Sequence, residues 1–130
     1  MRNFLTALFA LVTSLGSAQS PAPSPTAKRA IQARLGDEAA YWTNSSQTFL
    51  LAIKVNRQDK WQKEGLKKIL IYDLKADKIT FEDEIQSGDA QWESDTQVRL
   101  TLYPAVRFDD SVHENTVYLI DAKSGRKRKR

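Results

Sequence analysis

Thr48-Phe49-Leu50-Leu51-Ala52-Ile53-Lys54-Val55 is the stretch on which the fold turns. Phe49, Leu51, Ile53 and Val55 fall on one side of an extended chain, and Leu50, Ala52 and Lys54 on the other. A period of two belongs to a β-strand. After a polar interval, Asn56–Glu64, read as a loop around Trp61, comes Leu66–Leu74 (LKKILIYDL). Its centre, Ile69-Leu70-Ile71-Tyr72, is apolar on both faces, which suits a central strand covered from both sides. Lys75-Ala76-Asp77 turns the chain. In Lys78–Ile85, Ile79, Phe81 and Ile85 oppose Lys78, Thr80, Glu82 and Glu84. Ser87-Gly88-Asp89 turns it again, a short strand carrying Trp92 spans Ala90–Glu93, and Ser94-Asp95 turns once more. Gln97–Tyr103 places Val98, Leu100 and Leu102 on one face until Pro104 stops it. Asp109–Asn115 reads as loop, Thr116–Ala122 as the last clear strand, and Ser124-Gly125 as a hairpin turn. Arg126–Arg130 then either closes as a weak strand or frays.

Upstream of the strands, Ala27–Ala40 (AKRAIQARLGDEAA) spaces Ala30, Ile31 and Leu35 as a helix does, with Thr26 as a cap and Gly36 as the stop. Short isolated helices do not persist in water, so this one has to dock. Ser20–Thr26 (SPAPSPT) carries three prolines in seven residues and reads as an extended linker. The fold expected is therefore mainly β: an antiparallel sandwich or small barrel of five to seven short strands, preceded by one short helix. Phe49, Leu51, Ile53, Ile69, Ile71, Phe81, Trp92, Leu100 and Leu119 are expected to form its core.

Residues 1–18 have the three parts of an export signal: Arg2, the apolar run Phe4–Leu15, and the small residues Gly16-Ser17-Ala18. Cleavage is expected to leave Gln19 first. The apolar run is shorter than the roughly 20 residues a membrane-spanning helix needs. The expected organisation is a signal peptide at 1–18, a linker at 19–26, a β domain with its N-terminal helix at 27–125 and a basic tail at 126–130. The expected location is periplasmic or secreted. The chain has no cysteine, which excludes disulfides and a cysteine-linked lipid and points towards a bacterial protein held by its core alone.

The overall charge of +4 misleads. Lys123–Arg130 (KSGRKRKR) holds six of the 20 basic residues, and residues 19–122 carry a formal −3. The body is mildly acidic and lacks the basic, aromatic-interleaved stripe of single-strand nucleic-acid binders.

Catalytic and metal motifs are weak. His113, the one histidine, lies in an acidic loop, and nothing in the spacing places a nucleophile beside it. One histidine and no cysteine make a poor zinc site. Asp73, Asp77 and Glu84 occupy three positions of a calcium-loop frame, but Lys75 and Lys78 stand where a ligand and the turn glycine belong, so the frame is rejected. Asp109, Asp110 and Glu114 read as a solvated acidic loop. Glu82 and Glu84 share one strand face without an opposing wall, unlike a glycosidase pair. No metal, cofactor or nucleotide site is expected. Trp61, between Lys60 and Gln62, is the aromatic residue most exposed to a ligand by its polar surroundings.

Two resemblances follow from particular residues. Ile71–Lys78 (IYDLKADK) and Leu119–Arg126 (LIDAKSGR) share a pattern of two apolar residues, Asp, an apolar residue, Lys, two turn residues and a base, 48 positions apart. This resembles the outer hairpins of β-propeller blades, although two blades cannot close a ring. Lys68–Ile85, Gln91–Val98, Tyr103-Pro104 and Tyr118–Arg126 together resemble small exported proteins of Bacteroidetes-type bacteria. That resemblance implies export and a β fold, and carries over no site.

The function expected is that of an exported, non-enzymatic β domain with a binding or accessory role in the bacterial envelope, meeting a protein or glycan partner. Two alternatives stand beside it. One is a small extracytoplasmic hydrolase built on carboxylates. The other is an anionic-surface binder working through Arg126, Lys127, Arg128, Lys129 and Arg130.

Overall fold

A computed structural model describes residues 24–56, 66–103 and 115–130. Among these the chain forms one helix and eight strands. The helix is α1 (Pro25–Leu35); the strands are β1 (Ala40–Thr43), β2 (Phe49–Asn56), β3 (Leu66–Asp73), β4 (Lys78–Ile85), β5 (Gly88–Trp92), β6 (Gln97–Leu102), β7 (Thr116–Asp121) and β8 (Lys127–Lys129). They build two antiparallel four-stranded meanders, ordered β1-β2-β3-β4 and β5-β6-β7-β8. The chain crosses from one sheet to the other through Gln86-Ser87 alone.

The layers follow from the alternation. Leu51, Ile53, Ile69, Ile71 and Ile85 of the first sheet pack against Ala90, Val98, Leu100, Ile120 and Ala122 of the second. Phe49, Phe81 and Trp92 are half-buried around this cluster. On the other face of the first sheet, Leu50, Ala52, Leu70 and Tyr72 pack with Ala27, Ile31 and Leu35 of α1. The doubly apolar centre of β3 is thus covered on both sides, as its sequence requires. The result is an open sandwich with a helix as a third layer, and the sheets do not close into a barrel.

Several expectations are corrected by this arrangement. Helix α1 starts at Pro25, inside the stretch read as linker, because proline suits the first helical position and Ser24 caps it through Ala27 N–H at 3.4 Å. Strand β1 was not anticipated; four residues, Ala40–Thr43, are too few to show a period. Ile79 and Phe81 do not share a face. The β3–β4 register shifts between Ile71 and Tyr72, leaving Thr80 as the extra residue of a bulge. Ile79 therefore packs on the helix side and Phe81 between the sheets. Leu119 is buried as expected, but Tyr118 and Ile120 beside it face the inter-sheet core, so Leu119 lies on the outer face of the second sheet. Val55, at the end of β2, is 47% exposed.

One end of the sandwich is sealed by its four tight turns. Asn44, in the β1–β2 turn, donates to the Asp95 carbonyl at 2.7 Å and accepts from Thr48 N–H and Phe49 N–H. Ala122 N–H donates to the Thr96 carbonyl at 2.9 Å, tying the β7–β8 turn to the β5–β6 turn. Thr80, freed by the bulge, donates its hydroxyl to the Ala122 carbonyl at 2.6 Å. Leu74 N–H donates to the Thr48 carbonyl at 3.0 Å and completes the ring.

Candidate functional site

The tail is a strand. Asp121 ends β7 and accepts at Oδ1 from the N–H groups of Lys123 and Ser124, both at 2.9 Å, while Gly125 N–H donates back to the Asp121 carbonyl at 2.7 Å. Asp73 does the same at the β3–β4 turn, accepting from Lys75 and Ala76 N–H, with Asp77 N–H returning to its carbonyl at 2.8 Å. Asp77 and Gly125 both take positive φ, 57° and 75°. The internal echo is thus one turn chemistry used twice, an aspartate that satisfies the N–H groups of its own hairpin. The Ser124 N–H above all, assisted by Lys123, holds the Asp121 carboxyl below its usual value, against partial burial that acts the other way.

Beyond the turn, Arg128 pairs in register with Leu119, which pairs with Arg99. Lys127 faces the other way, 4.8 Å over the Tyr118 ring and 3.4 Å from Asp83 of β4, and helps join the two sheets. Arg130 reaches across the outer face to Glu93 at 3.3 Å, and Arg99 approaches the same carboxylate at 3.9 Å. Arg126, Arg128 and Lys129 are exposed, and none has an acidic partner among the described residues. Gln97, Leu119, Asp121, Ser124, Arg126 and Arg128 border an open depression of about 480 Å3 on this outer face. It offers guanidinium, amide and hydroxyl groups around one largely buried apolar side chain, while the Asp121 carboxylate on its border is engaged by the N–H groups of Lys123 and Ser124.

The five basic residues of the tail are therefore not equivalent. Arg126 and Arg128 border the depression, Lys127 borders it too but directs its ammonium to Asp83, Arg130 is engaged by Glu93, and Lys129 stands exposed. Arg99, Glu93 and Gln97 were not singled out in the sequence; their one signal is the outward-facing alternation of β6 and its turn. Trp61, His113, Asp109, Asp110 and Glu114, like the segment 1–18, lie outside the described residues. Glu82 and Glu84 lie on the helix side of β4, with Arg34 3.8 Å from Glu82, and Asp83 points to the opposite side. Trp92 is a packing residue whose Nε1–H donates to the Trp42 carbonyl at 2.9 Å, linking the two sheets. Among the described residues, no three His, Cys, Asp or Glu side chains gather as a metal site, and no helix is long and apolar enough to cross a membrane.

No protein-family model matches this chain, and neither a curated protein nor a solved structure matches it.

Proposed function

We propose that this chain is an exported, non-enzymatic β domain that binds an anionic partner in the bacterial envelope, through the outer face of its second sheet at the β7–β8 hairpin. The observation that carries the reading is the pair Arg126 and Arg128. They stand exposed, without acidic partners among the described residues, beside an open depression, Arg128 on the paired strand β8 and Arg126 just before it with its carbonyl accepting from Asp121 N–H. A strand presents its charges in fixed positions, so less ordering entropy is lost on binding than with a frayed tail. Export is supported by the signal-like pattern of residues 1–18.

The test neutralises the two arginines without removing the strand. Basic residues contribute about 1 kcal/mol each near an anionic surface. R126Q/R128Q should then bind anionic vesicles or immobilised heparin roughly 30-fold more weakly than wild type at low salt, with an unchanged melting temperature. Wild-type binding should fade as the Debye length shortens to ~8 Å at physiological ionic strength. Equal binding by variant and wild type would remove this face from the account.

A further inference from the structure

On the strength of that reading, we infer that the partner is a carboxylate-bearing polysaccharide, and that Glu93 occupies one of the carboxylate positions along its path. Glu93 is set by its backbone: its N–H donates to the Gln97 carbonyl at 2.9 Å across the β5–β6 turn. Its side chain then lies over the outer face, with Oε1 at 3.3 Å and Oε2 at 3.4 Å from Arg130 Nη1, and Oε1 at 3.9 Å from Arg99 Nη1. A carboxylate between these two guanidiniums is thus a geometry the molecule already displays. The Glu93 side chain is only 25% exposed, whereas that of Arg130 is 55% exposed and open to a second anion.

Arg126 and Arg130 flank β8 two residues either side of Arg128, and the bonds from Asp121 N–H to the Arg126 carbonyl and from Arg130 N–H to the Val117 carbonyl continue the pairing to both, so the three Cα atoms are spaced by roughly 7 Å. A row of this kind fits a linear polymer with repeated negative charge better than a single small anion. Its surroundings favour sugar over peptide. Gln97 and Ser124 offer an amide and a hydroxyl that can meet the ring hydroxyl groups of a sugar. Glu93 competes for Arg99 and Arg130, so the full row is available only when a ligand carboxylate displaces it. The chain carries its own brake on affinity.

Polygalacturonate is the probe, with polyglutamate as the peptide control, each titrated at low salt against the full chain. E93Q keeps the shape of the side chain and removes its charge. An exposed ion pair is worth up to about 1 kcal/mol, so E93Q should bind polygalacturonate about two- to fivefold more tightly than wild type. Adding R130Q to E93Q should abolish the gain, and melting curves should show all variants folded. If E93Q binds no more tightly than wild type while R126Q/R128Q loses binding, the brake is refuted and the binding face stands. If polyglutamate is held as tightly as polygalacturonate, the sugar assignment is overturned. If neither wild type nor E93Q holds either polymer while wild type still binds heparin or anionic vesicles, the carboxylate-polysaccharide assignment is overturned and the binding face stands; if heparin and vesicles are not held either, the binding reading falls with it.

Discussion

Of the described glycines, Gly125 leaves least room for a side chain. Its φ of 75° already disfavours any side chain, and an added Cβ would stand 2.0 Å from the Thr80 carbonyl oxygen, a backbone atom of the opposite sheet. Gly36 has nearly the same φ, 76°, but its added Cβ would meet only the Lys54 ammonium at 3.8 Å. Gly36→Ala should therefore cost about 1–2 kcal/mol, the backbone penalty alone, since its ψ of −164° puts it in a region essentially confined to glycine. Gly125→Ala should cost roughly 2–4 kcal/mol, because the turn must move away from β4. Equal losses in denaturant titrations would mean that the two sheets do not approach at Thr80. Tyr72 gives a pH test. It is buried against α1 and donates its hydroxyl to Asp77. Burial first, and then the Asp77 carboxylate, raises its pKa from 10.0 to about 12. The folded state thus favours the neutral phenol. This contribution is complete below pH 10, where the unfolded chain is also protonated, and is lost as pH rises through 12. Tyr72→Phe should flatten the decline in stability between those values. An unchanged slope would show that the phenol ionises as freely in the fold as in the unfolded chain.

At the scale of elements, what was legible in the sequence was what repeats. The alternation of β2 and β6, the two-sided apolar centre of β3 and the paired Asp turns each state their structure in several consecutive residues. Strand β1 and the bulge at Thr80 do not. Four residues carry too little period, and a bulge is visible only when both strands are in place, since its signature is a change in which face a residue occupies. The binding face was legible in part. The basic tail stands out in composition, but Glu93 and Arg99 acquire their meaning only when register brings them beside Arg130. Strand β8 was open to either reading, and the structure makes it an edge that pairs β7 and reaches Asp83 through Lys127. A chain ending at Gly125 should accordingly be less stable than the full chain by about 2–3 kcal/mol, from several lost backbone hydrogen bonds at about 1 kcal/mol each. If it melts with the full chain, β8 does not support the second sheet.

Taken as a whole, the molecule has two unlike ends. At one, the four hairpin turns are bound into a ring through Asn44, Thr96, Thr80 and Leu74. At the other, β2 ends at Asn56 opposite the start of β3, and β6 runs to Leu102 opposite the start of β7. The polar ring fixes the β7–β8 hairpin to the β5–β6 turn through Thr96 and to β4 through Thr80, so the Arg126–Arg128 face adjoins a well-tied part of the fold. The helix covers the far face of the first sheet, which leaves the outer face of the second as the broad sheet surface without a covering layer among the described residues. Its charge pattern should make it the contact surface for an anionic polymer. The most direct measurement is a titration of the isotope-labelled protein with polygalacturonate at low salt, following each backbone amide by NMR. The account predicts shifts confined to the outward residues of β6, β7 and β8 and the turns that adjoin them, with Gln97, Arg99, Leu119, Ser124, Arg126 and Arg128 foremost, Glu93 and Arg130 among them, and α1 unmoved. Shifts centred on α1, or none at saturating polymer, would contradict it.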